Sequence, residues 1–166
     1  GEPLTGNRRT DCSCVETFGC EDNILLDCSF ESGALGNGWE KSAVASVTFV
    51  SGGAATGVYS FSLDGGSGYS ARYAYQEFTA PTTGQARMSV KTKYVGSTYG
   101  TGIILEGWNG SAWYTIHDFA SFSTNTSWTQ FTATSTDSLV AGNLYRVRIY
   151  NGSYHQLDDL KYTYES

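Results

Sequence analysis

Residues 143–150 read NLYRVRIY, with Tyr145, Val147 and Ile149 on one parity and Arg146, Arg148 and Tyr150 on the other. Period-two alternation sends successive side chains to opposite faces of an extended chain, so this stretch is a strand with one buried face. The same pattern spreads outward from it. ARMSVKTKYV (86–95) sets Met88 and Val90 against Ser89 and Lys91, and TGIILEGW (101–108) and SAWYTIHDF (111–119) alternate in the same way. Further runs are ILLDCSF (24–30), ASVTFV (45–50), VYSFSL (58–63), SARYAYQEF (70–78), WTQFTATS (128–135) and QLDDLKYTY (156–164). Asn109-Gly110 between two such runs is a hairpin signal. No stretch carries sustained helical periodicity with caps. Short strands with turns every ~8–12 residues describe an antiparallel two-sheet β-sandwich, a jelly roll.

The chain has 166 residues, enough for one domain. Residues 24–166 read as the sandwich. Residues 1–23 are polar, cysteine-bearing and without periodicity, and read as an arm packed on it. Ten Lys and Arg against sixteen Asp and Glu leave a net charge of −6. Nucleic acid or an anionic membrane would require a basic patch that the sequence lacks, so neither is expected as a partner. No apolar run approaches the ~18 residues of a membrane span. The abundance of Gly, Ser, Thr and Tyr suits a neutral ligand, and a monomer is expected.

Cys12, Cys14, Cys20 and Cys28 are the four cysteines. Their C-x-C-x5-C-x7-C spacing lacks the paired CxxC pattern of a zinc ribbon, and two disulfides are preferred over zinc or free thiols. Cys12 and Cys14 are too close to bridge easily, so each is expected to pair with Cys20 or Cys28. The arm would then be stapled to the first strand. Disulfides imply an oxidising environment and hence a secreted or extracellular protein.

Catalytic signatures are missing: there is no GxSxG elbow, HExxH, phosphate loop or GxGxxG. His117 and His155 are the two histidines, and neither has a triad context. No catalytic residue is expected. The acids near the two ends carry more information. Glu31 lies in Asp27-Cys28-Ser29-Phe30-Glu31-Ser32-Gly33, and Asp158-Asp159 interrupts the closing apolar run. A carboxylate inside a strand is costly unless solvated, paired or bound to metal. If first and last strands are neighbours, Glu31 meets Asp158 or Asp159, and such hard oxygens select calcium. Solvated acids at a sheet edge are the plain alternative.

SFESG…GW at 29–39, GVYSFSL at 57–63, TSWTQFTAT at 126–134 and LDDL at 157–160 follow an order that resembles the jelly-roll carbohydrate-binding modules of families four, nine and twenty-two. The resemblance spans roughly residues 24–164. It implies a structural calcium held by Glu31 and Asp158, with the Ser29 carbonyl as a third ligand. The cysteine arm has no counterpart in that pattern. Cys28-Ser29-Phe30-Glu31 also resembles the opening of extracellular adhesion domains of the MAM type.

Sugars offer flat C–H faces to aromatic rings and planar pairs of hydroxyls to Arg, Glu and amides. Aromatic residues make up 14% of the chain, twelve of them Tyr. Alternation assigns Ala112, Tyr114, Ile116, Ile103 and Leu105 to the core. It leaves Trp108, Trp113, His117, Arg148, Tyr150, Glu106 and Tyr75 as the glycan-binding set on one outer face. Trp39 and Trp128, at strand edges, read as packing residues. The expected function is a non-catalytic module that binds a polysaccharide chain, a β-glucan or a xylan, and targets a tethered catalytic domain to it. An adhesion sandwich, or a small jelly-roll hydrolase or lyase, is the alternative.

Overall fold

The computed structural model describes residues 24–28, 30–63, 72–96, 101–119, 122, 124–150 and 155–164. Their strands are β1 (Glu40–Lys41), β2 (Val47–Ser51), β3 (Tyr59–Leu63), β4 (Tyr73–Thr79) and β5 (Gly84–Tyr94), followed by β6 (Gly102–Trp108), β7 (Trp113–Phe119), β8 (Thr129–Leu139), β9 (Leu144–Tyr150) and β10 (His155–Tyr164). They form two five-stranded antiparallel sheets: sheet A in the order β1-β4-β9-β6-β7 and sheet B in the order β2-β3-β10-β5-β8. No described residue is helical. Every alternating run from Ala45 onward is a strand.

The apolar parities meet between the sheets. Tyr145, Val147 and Ile149 of β9, with Ile103 and Leu105 of β6, face Phe61, Leu63, Met88, Val90, Leu157 and Tyr162 of sheet B. Burying one fully apolar side chain of this size contributes about 1.5–3 kcal/mol, so this layer holds the sandwich together. Trp39 closes one end. It is fully buried against Phe30 and Phe61, and its Nε1–H donates to the Asp27 carbonyl at 3.1 Å. Trp128 is half-buried, and its Nε1–H donates to the Gly53 carbonyl at 2.8 Å.

Residues 24–30 are not the strand that their composition suggests. Asp27 and Phe30 adopt left-handed backbone (φ 48° and 63°), which breaks a strand. The segment nevertheless lies along β10: Ile24 N–H donates to the Tyr162 carbonyl, and Leu160 N–H to the Cys28 carbonyl, at 2.8 and 2.9 Å. The Gln76 side chain from β4 pairs with the Leu26 backbone, accepting its N–H at 2.7 Å and donating to its carbonyl at 3.1 Å. One amide thus replaces a stretch of ladder and ties the opening segment to sheet A.

Two bulges reset the alternation. In β10 the register slips between Asp158 and Lys161, with Asp159 left-handed at φ 48°. In sheet A it slips between Leu105 and Glu106 opposite Ile116. One extra residue in a strand reverses the faces beyond it.

Candidate functional site

The outer face of sheet A is built by register. Tyr75 of β4, Arg148 of β9, Ile104 of β6 and Asp118 of β7 lie in one row across the sheet. Glu77, Arg146, Glu106 and Thr115 form the next row. Tyr73 and Tyr150 pair at one end, and Trp108 and Trp113 pair at the other. The structure therefore places Trp108, Trp113, Glu106, Arg148, Tyr150 and Tyr75 on one face.

His117 does not join them. The bulge sets it opposite Leu105, on the core side, where it stacks on Phe119 at 6.3 Å. The same slip brings Asp118 outward, and its carboxylate accepts the Tyr150 hydroxyl at 2.6 Å. Ala112 and Tyr114, expected in the core, are exposed at the hairpin tip, whereas Ile116 is buried. The tip is a two-residue loop, Gly110-Ser111, closed by Asn109 N–H to the Ala112 carbonyl, with φ +104° at Gly110. The Tyr114 ring lies back over Gly107, where a Cβ would collide with it.

The floor is polar and nonetheless sheltered. Side-chain exposures are 14% for Arg146, 9% for Arg148 and 7% for Glu106. Glu106 Oε1 accepts Arg146 Nε–H at 2.6 Å and Arg148 Nε–H at 2.9 Å, and Oε2 accepts Arg148 Nη2–H at 2.8 Å. Aromatic rings flank these charges. The Arg146 guanidinium sits 4.3 Å from the Trp113 ring and 5.6 Å from that of Tyr73, with Arg148 4.7 Å from Tyr73. Trp113 and Tyr73 therefore turn ring surface to guanidinium rather than to solvent. Trp108, 36% exposed and 5.2 Å from Trp113, keeps ring surface open. Arg146 and Tyr73 belong to the site by contact. Their parity matched Arg148 and Tyr75, a signal present in the sequence.

The acids form a second cluster beside the bulge of β10. Glu31 Oε1 accepts Val58 N–H at 2.7 Å, and Oε2 accepts Tyr59 N–H at 2.9 Å. Its carboxylate lies against Gly57 (φ +67°), where a Cβ would overlap it, so this loop requires glycine. Asp158 is fully buried and accepts Thr56 N–H at 3.0 Å and Asp159 N–H at 2.8 Å. Asp159 accepts the Thr56 hydroxyl at 2.7 Å and pairs with Lys91 at 2.9 Å. Burial, then the charges of Asp159 and Glu31, push the Asp158 carboxyl up to about 7, against the pull of the two N–H donors. Burial likewise raises Asp27, helped by the Glu31 charge and opposed by hydrogen bonds from Ser32. Among the described residues no group of three or more His, Cys, Asp or Glu side chains gathers in metal-binding geometry. A cation here would need backbone carbonyls or water to complete its shell. Ser29, Cys12, Cys14 and Cys20 lie outside the described residues. Cys28 is buried and is not a free thiol.

No family model matches the sequence, and no curated protein matches it either. The fold is shared with solved structures. The CBM22-1 xylan-binding domain from Paenibacillus barcinonensis Xyn10C superposes at TM-score 0.61 with 17% identity, over 86% of this chain and 95% of that one. The CBM22-1–GH10 modules of the Clostridium thermocellum endo-1,4-beta-D-xylanase Xyn10B, complexed with xylohexaose, give 0.57 and 14%, over 87% and 29%. An arabinose-bound α-L-arabinofuranosidase, MgGH51, gives 0.61 and 15%, over 92% and 28%. At these identities the likeness is one of architecture.

Proposed function

We propose that this chain is a non-catalytic carbohydrate-binding module that grips a polysaccharide on the outer face of sheet A. The observation that carries the reading is the floor of Arg146, Glu106 and Arg148, sheltered among Tyr73, Trp108 and Trp113 on a face turned away from the core. Rings supply apolar contact to C–H faces, and the guanidinium edges supply planar donors for hydroxyls. The fold it shares with a xylan-binding domain supports xylan as the first polysaccharide to test. The module would perform no chemistry. It would raise the local concentration of a tethered catalytic domain at its substrate, an arrangement supported by the CBM22-1–GH10 chain that shares the fold.

Three further parts belong to this reading. Glu31, Asp158 and the Ser29 carbonyl hold one calcium ion, whose charge would keep Asp158 ionised; the raised Asp158 carboxyl among neighbouring acids supports it. Cys12, Cys14, Cys20 and Cys28 form two disulfides that staple the arm, and the burial of Cys28 beside Leu160 supports that. The protein is secreted and monomeric.

Affinity electrophoresis against xylan, β-glucans and charged polysaccharides tests the function. Retardation by at least one of them, lost in Trp108→Ala with an unchanged melting curve, is the expected result. Migration indifferent to every polysaccharide would sink the reading.

A further inference from the structure

In the sheltered part of the carbohydrate-binding floor two guanidiniums share one carboxylate, and the other acids of this face, Glu77 and Asp118, are exposed. Glu106 is a single carboxylate shared by two guanidiniums. Arg148 spends Nε–H and Nη2–H on it, whereas Arg146 spends only Nε–H. Among the described residues the Nη groups of Arg146 make no hydrogen bond, although its side chain is only 14% exposed. Glu77, its register partner on β4, is exposed and forms no ion pair with it. Asp118, one row away, is engaged by the Tyr150 hydroxyl.

The Nη groups of Arg146 are not among the buried donors that lack a partner, so they reach solvent and are open to a ligand, while the rest of the side chain is sheltered and held. Tyr73 and Trp113 hold the guanidinium at ring distance, so its planar edge is positioned before anything binds. A sugar hydroxyl could accept one N–H and would leave the two guanidiniums with one carboxylate between them. A carboxylate accepts two in plane and gives Arg146 a counter-ion of its own.

Building on the carbohydrate-binding reading, we propose that the Nη edge of Arg146 recognises a uronate carboxylate on the bound glycan. The chain as a whole carries −6, so a polyanion gains nothing from long-range steering. Discrimination is local to this one contact. The carboxylate comes either from a uronate branch on a neutral chain or from a main-chain uronic acid.

The test is calorimetric titration with glucuronoxylan, with the same polymer after chemical reduction of its carboxyls to alcohols, and with polygalacturonate. The native branched polymer is expected to bind about tenfold more tightly than its reduced form. That preference should vanish in Arg146→Gln and weaken in Arg146→Lys, which keeps charge but loses the fork; melting curves report whether each variant folds. Tight, Arg146-dependent binding of polygalacturonate instead would assign the main-chain source. Equal affinity for native and reduced polymer overturns the uronate proposal and leaves a module for neutral glycans. Binding of none of these, nor of any neutral polysaccharide, overturns the carbohydrate reading itself. Because the ligand arm needs no mutation, the result does not depend on a variant that folds.

Discussion

Trp108 and Trp113 face each other across the β6–β7 hairpin, yet their surroundings assign them different work. Trp113 is covered by the Arg146 guanidinium at 4.3 Å, while Trp108 leaves 36% of its surface open. An open ring is available to a sugar; a covered ring positions the arginine. Trp108→Ala should therefore weaken glycan binding by about ten- to a hundredfold, the ~1–3 kcal/mol of an interface aromatic, with the melting temperature within a degree or two of the parent. Trp39→Ala is the contrast. That ring is fully buried, and its loss should cost about 3–5 kcal/mol of stability. Parallel calorimetry and thermal melts check both. A Trp108 variant that binds like the parent would move the site off this face. At this scale the sequence was legible through parity alone: Glu106, Arg148, Tyr150 and Tyr75 share a face because strict alternation holds along β9, β4 and the outer half of β6. His117 was misassigned because a single bulged residue, Ile116, exchanges inside for outside, and no side chain in SAWYTIHDF marks it.

Between elements, Gln76 joins the opening segment to sheet A through its side chain alone. It points into the core side of sheet A and satisfies both backbone groups of Leu26. Gln76→Ala leaves an N–H and a carbonyl to find water at a partly buried seam, at about 1–3 kcal/mol in total. For a domain of this size the melting temperature should fall by roughly 2–4 °C per kcal/mol, with glycan affinity unchanged because the residue lies on the opposite face from the site. A variant that melts like the parent would mean that β10 alone holds the opening segment. Residues 24–30 show what composition cannot reveal. Their apolar content and their position beside β10 were legible. The left-handed turns at Asp27 and Phe30 are accompanied by contacts of this segment with Trp39 and Gln76, which lie well outside the run itself.

For the molecule as a whole, the buried Asp158 carboxyl makes stability depend on pH. The Asp158 carboxyl is at about 7 in the fold against an ordinary value of 3.8. Below ~4 it is protonated both folded and unfolded and contributes nothing. As pH rises from ~4 to ~7 the unfolded chain ionises first, so stability falls, and the penalty is complete above ~7. Chelated protein should therefore melt at progressively lower temperature across that window, with calcium raising the melting temperature most at the neutral end. Asp158→Asn should flatten the slope and abolish the calcium response. An unchanged slope in that variant, or melts indifferent to calcium and chelator alike, would leave Asp158 a buried acid with no metal.

Beyond its own ligand, the sheet must also avoid other copies of itself. Sheet A ends on one side at β1, two residues long, both charged and both exposed. It covers the start of β4 at Ala74 and Tyr75, and offers a passing chain almost no ladder of its own to extend. A polysaccharide crowds many modules onto one surface, the condition in which open strand edges zip into fibres. Glu40→Val with Lys41→Val should turn that blunt margin into a template, read as light scattering that grows with concentration while the parent stays clear.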